Sequence, residues 1–72
     1  MINRFKKGEL WKVKNPYGYM EKDDRFIVLE LYTNCYFLGI KVVNLTDMKF
    51  QNILKNIVEN DSFRSMFFEF VC

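Results

Sequence analysis

The chain contains no histidine and no alanine, and only one proline, two cysteines and three glycines in 72 residues. Without histidine it lacks an imidazole base, which excludes a Ser-His-Asp triad and a Cys-His pair. The glycines are scattered, so they form no phosphate-binding loop. Cys35 and Cys72 have no CxxC spacing, and no histidine completes a zinc-ligand set. We therefore expect a non-enzymatic protein without metal or cofactor.

The chain also lacks an apolar run of about 18 residues, the length that a membrane-spanning helix needs. Its basic N-terminus has no apolar core of a signal peptide. These absences favour a cytoplasmic protein, in which Cys35 and Cys72 stay as two thiols; a single disulfide between them is the alternative. The length predicts one domain over residues 1–72. The net charge of +2 is too small to indicate nucleic-acid binding by itself.

Three runs of alternating apolar and polar residues predict strands at 9–14, 25–32 and 35–43. In the first run, Trp11 and Val13 share the face that we expect to be buried. Proline and glycine within Asn15-Pro16-Tyr17-Gly18 predict the first connection, and Thr33-Asn34 predicts a tight hairpin turn.

The apolar period then changes to that of a helix, which we expect to begin at the N-cap Thr46 and to end before residue 60. Its apolar stripe consists of Phe50, Ile53, Leu54, Ile57 and Val58. Residues 63–71 predict a last strand. The order β-β-β-α-β indicates a mainly β or α+β fold with one amphipathic helix: a small, bent antiparallel sheet such as an SH3-like partial barrel.

The residue usage carries a hint of origin. Phe, Tyr, Met, Ile, Asn and Lys make up half of the chain, and all six have AT-rich codons. Such a bias is typical of low-GC bacteria, their phages and their mobile elements. We therefore expect a phage or mobile-element protein that acts in the cytoplasm of a bacterial host.

Three short motifs resemble the opening of the MazF/PemK family of mRNA-cleaving toxins. These are Lys7-Gly8-Glu9-Leu10-Trp11, Arg25 directly before the apolar run FIVLEL, and VVNLT ending at Thr46. The resemblance covers residues 6–47. It implies an SH3-like barrel and metal-independent cleavage of single-stranded RNA, with Arg25 as the catalytic cation and Thr46 as its partner near the scissile phosphate.

The loop 15–24 is unusual for a connection because it combines large apolar side chains with carboxylates. Tyrosine and methionine are enriched in protein interfaces, and charges at a rim steer association. Negative charge here favours a partner with a basic surface. We therefore predict a protein-binding site made of Tyr17, Tyr19, Met20, Glu21, Asp23 and Asp24.

A second candidate surface is basic and could follow a phosphate backbone. It consists of Arg4, Lys6, Lys7, Lys12, Lys14 and Tyr36. The first hypothesis is thus a small binding module that inhibits or regulates a host nucleic-acid enzyme or defence system. The alternatives are a nucleic-acid-binding protein and a reduced MazF-like endoribonuclease. Because so small a sheet has exposed edges, a monomer and a homodimer are both compatible with the sequence.

Overall fold

The structure is a computed structural model that describes residues 5–31 and 39–72. Five strands and two short helices follow one another along these residues. They are β1 (Leu10–Val13), β2 (Arg25–Leu31), β3 (Gly39–Asn44), β4 (Lys49–Leu54), α1 (Lys55–Glu59), α2 (Asp61–Phe67) and β5 (Phe68–Phe70).

The strands form one antiparallel sheet in the order β4-β3-β2-β1-β5. The first four strands are a meander, and β5 returns to pair with the outer edge of β1. The predicted α+β fold with a small antiparallel sheet is confirmed, and this strand order is compatible with an SH3-like partial barrel. β2 carries a register shift between Val28 and Glu30, and such a bulge bends a strand. The bulge lies in the pairing of β2 with β3. On its other side β3 pairs regularly with β4, where Gly39 is opposite Leu54.

The first part of the predicted helix is wrong, because residues 49–54 form β4 instead. Asn44 accepts a hydrogen bond from the Thr46 backbone N–H through Oδ1 at 2.8 Å, and Asp47 accepts one from the Lys49 N–H at 3.0 Å. These side chains stabilise a tight turn, and Met48 has a left-handed φ of 59°. The turn returns the chain alongside β3, so sheet pairing overrides the helical pattern. Thr46 is therefore a turn residue and not an N-cap.

The predicted strand at 63–71 is also largely wrong, because α2 occupies residues 61–67 and only Phe68–Phe70 is a strand. Asn60 caps α2 by accepting a hydrogen bond from the Phe63 N–H at 3.1 Å, and Asp61 lies at the positive end of the helix dipole. α1 and α2 have five and seven residues. In the described part of the chain, no helix is long and apolar enough to cross a membrane.

The core lies on one face of the sheet, and both helices pack on that side. We call this the core face and the opposite side the outer face. Trp11 and Val13 are buried on the core face, as their alternation predicts. Ring contacts join Phe5, Trp11, Phe26 and Phe68, with centroids 4.3–6.1 Å apart. The other core members are Met20, Val28, Ile40, Val42, Ile53, Ile57 and Val58.

Candidate protein-binding site

The loop between β1 and β2 holds a miniature hairpin that projects Tyr19 into solvent. Tyr17 and Met20 exchange two backbone hydrogen bonds of 3.0 and 2.9 Å. Gly18 at the tip has a φ of +59°, and a Cβ there would lie 2.1 Å from Nε2 of Gln51 on β4. The glycine thus permits both the left-handed turn and the close approach to β4. As a result, the Tyr19 side chain is 88% exposed.

Two of the predicted interface residues are structural instead. Met20 is 1% exposed and belongs to the core, so it cannot contact a partner. Tyr17 is half-buried and packs edge-on against Phe67 and Phe68, at 5.5 and 5.6 Å between ring centroids. Its hydroxyl oxygen accepts a hydrogen bond from the Leu54 N–H at 3.3 Å. The prediction is therefore wrong for Met20, and Tyr17 closes the gap between β4 and α2.

Two exposed apolar residues on the far side of a groove take the place of Tyr17 and Met20. Met48 in the β3–β4 turn and Phe50 on β4 are 66% and 65% exposed. Phe50 and Tyr19 line an open groove of about 400 Å³ between the hairpin tip and β4, and Met48 lies in the adjacent turn without lining it. Its lining consists of Tyr19, Asn44, Asp47, Lys49, Phe50 and Gln51. Met48 and Phe50 were missed because the sequence reading placed them in a helix; the turn-forming Asn44 and Asp47 were the available signal.

The three predicted carboxylates have different roles. Glu21 and Asp23 are exposed, and Asp23 lies 3.4 Å from the Lys12 ammonium. Asp24 is partly buried and accepts hydrogen bonds from Asn44 Nδ2 and from the Glu21 N–H, each at 2.9 Å. These bonds, with one from the Thr46 side chain, hold the pKa of Asp24 below its usual range, because they stabilise the carboxylate. Asp24 thus joins the two loops that border the groove and is not a free rim charge.

The predicted basic surface does not form one continuous cationic face among the described residues. Lys12 is paired with Asp23 and lies opposite Glu69 in the β1–β5 register. Lys14 donates a hydrogen bond to the Ser65 carbonyl at 2.8 Å, which ties β1 to α2. Of the described members of this surface, only Lys6 and Lys7, in the turn before β1, are exposed without such a role for their ammonium groups. The remaining members, Arg4 and Tyr36, lie outside the described residues, as does Cys35; Cys72 is an exposed thiol.

Arg25 and Thr46, which the toxin resemblance singles out, lie at the same end of the sheet. The Arg25 carbonyl accepts a hydrogen bond from the Leu45 N–H at 2.7 Å, which places Thr46 one residue away from that contact. The adjacent carboxylate is Asp24, and a lowered pKa makes it a weak general base. Within the described residues, no group of three or more possible metal ligands comes together.

Comparisons with models of protein families, with curated proteins and with solved structures found no match to this chain.

Proposed function

We propose that the protein is a small non-enzymatic binding module that recognises another protein through the groove between the hairpin tip and β4. The observation that carries this proposal is that Tyr19 and Phe50 line one groove, with Met48 in the turn next to it. Each of these large apolar side chains is about two-thirds or more exposed. Single exposed apolar residues are common, but two that line one concave surface, with a third beside it, favour an interface, in which such side chains gain burial.

The charges around the groove support a partner with a basic surface. Glu21, Asp23 and Asp47 are exposed carboxylates on the two loops that border it. Lys49 lines the groove and Lys22 lies on the hairpin loop, so the three carboxylates exceed these two cations by one. Asp23 is in addition paired with Lys12. A host nucleic-acid enzyme or a defence protein with a basic groove has the matching chemistry. The AT-rich residue usage supports a phage or mobile-element origin, in which inhibition or regulation of such a host protein is the role we propose.

The test is capture of partners from a lysate of a low-GC bacterium, with and without nuclease. Tyr19→Ala is compared with the wild type and with Met66→Ala, a matched control in which an exposed apolar residue of α2 is truncated. We expect the wild type and Met66→Ala to retain the same protein, and Tyr19→Ala to lose it. We also expect Glu21→Lys to slow association, because rim charges steer encounter. Capture that is unchanged by Tyr19→Ala would contradict the proposal.

Nucleic-acid binding is the second candidate, and the exposure of Lys6 and Lys7 is the observation that favours it. It predicts binding of single-stranded DNA or RNA that weakens with salt, at about 0.7 units of log-log slope per phosphate contact. Loss of a captured protein after nuclease treatment would favour this candidate over direct protein binding.

Ribonuclease activity is the third candidate, supported by Arg25 and Thr46 at one end of the sheet. We expect labelled single-stranded RNA to stay intact during incubation with the purified protein. Cleavage that Arg25→Ala abolishes would establish the ribonuclease instead.

A further inference from the structure

The outer face of the sheet carries an apolar row that crosses four strands. The strand registers pair Leu10 with Ile27, Ile27 with Val43, and Val43 with Phe50. Paired residues project from the same face of a sheet. On β1, β2 and β3, the residues next to this row include Trp11, Phe26 and Val42, which are buried on the core face. Among residues 5–31 and 39–72, both helices pack on the core side, and all four members of the row remain at least partly exposed.

Charged residues flank the apolar row, and they differ between its two sides. On one side, Lys12 and Arg25 lie directly opposite each other on β1 and β2. On the other side, Glu30 of β2 is opposite Lys41 of β3. The ammonium of Lys41 lies 4.9 Å from the centroid of the Phe50 ring, which confirms that this second charged row shares the outer face with the apolar row. Glu69 of β5 lies opposite Lys12 on this same face. The outer face is therefore apolar in the middle and carries charges of both signs on each side.

We propose that a second copy of this chain docks on the outer face, so that the protein forms a two-fold symmetric dimer with its sheets face to face. In such a dimer, each surface patch meets its own copy. A two-fold axis along the apolar row places each strand over its equivalent. Arg25 precedes Ile27 on β2 and Glu30 follows it, so this axis brings Arg25 of one copy against Glu30 of the other, twice.

The charges select this axis over the alternative one. An axis parallel to the strands and centred on the row would run between β2 and β3. It would bring Glu30 of one copy against Lys41 of the other, but it would also line up Lys12 and Arg25 of both copies along one side of the interface, and like charges at an interface disfavour association. The axis along the row separates these cations and creates two opposite-charge contacts. This proposal shares only Phe50 with the proposed function, because Leu10, Ile27 and Val43 do not line the groove.

The size of the patch predicts a weak dimer. Four strands about 4.8 Å apart, each contributing about five residues at about 3.3 Å, give a footprint on the order of 300 Å² per copy. That is well below the roughly 800 Å² per partner of a standard interface. We therefore expect a dissociation constant on the order of 10⁻⁴ M, which is measurable by sedimentation equilibrium of the full chain at concentrations up to about 1 mM.

The experiment exchanges the charges of the proposed contact. Arg25→Glu and Glu30→Arg each place like charges together twice, and we expect each to raise the dissociation constant at least fivefold. In an equimolar mixture of the two variants, the heterodimer regains both opposite-charge contacts, so we expect association to return to the wild-type level. The double variant should also associate like the wild type. Effects on the folding of a single chain would not be repaired by mixing.

A second pair of variants tests the apolar row. Ile27→Thr keeps a β-branched side chain, which suits a strand, and should abolish dimerisation. Met66→Thr on α2 should leave it unchanged. A wild type that stays monomeric at 1 mM would overturn the proposal. So would a dimer that the charge variants and Ile27→Thr do not weaken, since it would use another surface such as a sheet edge. Loss of a protein partner, and not of a dimer, on Ile27→Thr would assign the face to that partner.

Discussion

Truncation of two adjacent loop residues is expected to have very different consequences for stability: Met20→Ala should cost much of it and Tyr19→Ala very little. Met20 is 1% exposed within the core and Tyr19 is 88% exposed. Truncating a buried methionine to alanine costs about 2–5 kcal/mol, because apolar contacts are lost and a cavity is left. At about 0.05–0.15 kcal/mol per residue, the free energy of unfolding of the whole chain is about 4–10 kcal/mol. Met20→Ala therefore removes about half of the stability, whereas Tyr19→Ala should change it by less than about 0.5 kcal/mol.

Urea denaturation followed by the fluorescence of Trp11 measures this contrast. Trp11 is the only tryptophan, and it is 2% exposed within the aromatic cluster, so its emission reports on the core. With an m-value of about 1 kcal/mol/M, a loss of about 3 kcal/mol lowers the urea midpoint by about 3 M. Equal midpoints for Met20→Ala and the wild type would refute the assignment of Met20 to the core. A large loss for Tyr19→Ala would show that the hairpin tip supports the fold and would remove it from the candidate interface.

Two further predictions concern the loops that border the groove. Because the folded-state pKa of Asp24 is lowered, the stabilisation by its carboxylate is present above the usual aspartate pKa of about 4 and is lost as the pH falls through the folded-state pKa. Asp24→Asn should therefore lose less melting temperature on the acid side than a Glu59→Gln control does. Parallel curves of melting temperature against pH for the two variants would contradict this prediction. Gly18→Ala should destabilise the protein more than Gly8→Ala does. Both glycines have positive φ, but only at Gly18 does the added Cβ meet Gln51. The excess, about 0.5–1.5 kcal/mol for the displaced hydrogen bond, should vanish in a Gln51→Ala background, as thermal melting can measure.

The sequence predicts the strands with strict alternation and misassigns the segments in which two periods coincide. In β1, Trp11 and Val13 lie on the opposite face from Leu10 and Lys12, and both are buried as predicted. In residues 50–54, the spacing of Phe50, Ile53 and Leu54 fits a helix, yet Ile53 is the only one of the three that is buried. The pairing of β4 with β3 decides between the two periods, and that is a tertiary interaction which local pattern does not contain.

The candidate site could be predicted only in part, for a related reason. Composition identifies loop 15–24 as too apolar for a connection, but it does not tell which of these side chains turn inward. The Tyr17–Met20 hairpin decides this by directing Met20 into the core and Tyr19 outward. Phe50 joins Tyr19 only because β4 lies beside the hairpin. An exposed site built from two segments depends on how they pack against each other, and the local sequence of either segment does not predict that packing.

The two proposed interfaces meet at one residue. Phe50 lines the groove and also ends the apolar row of the outer face. Tyr19 belongs only to the first surface and Ile27 only to the second. If both surfaces bind as proposed, a partner that covers the Phe50 ring removes part of the dimer interface. Partner binding and self-association would then oppose each other, because each depletes the species that the other requires.

Phe50→Ala is therefore expected to weaken both associations, whereas Tyr19→Ala weakens only partner binding and Ile27→Thr only self-association. Truncation of an anchoring aromatic costs about 2 kcal/mol, or about 30-fold in the dissociation constant. At about 1 mM, well above the dimer dissociation constant of about 10⁻⁴ M, the monomeric Ile27→Thr variant should bind the partner more tightly than the wild type does. At about 10 μM, where the wild type is monomeric too, the two proteins should have the same partner affinity. Because Phe50 is 65% exposed, its truncation should leave the melting temperature nearly unchanged. Equal partner affinities at both concentrations would show that the two surfaces are occupied independently. An unchanged dimer in Phe50→Ala would confine the self-association surface to Leu10, Ile27 and Val43.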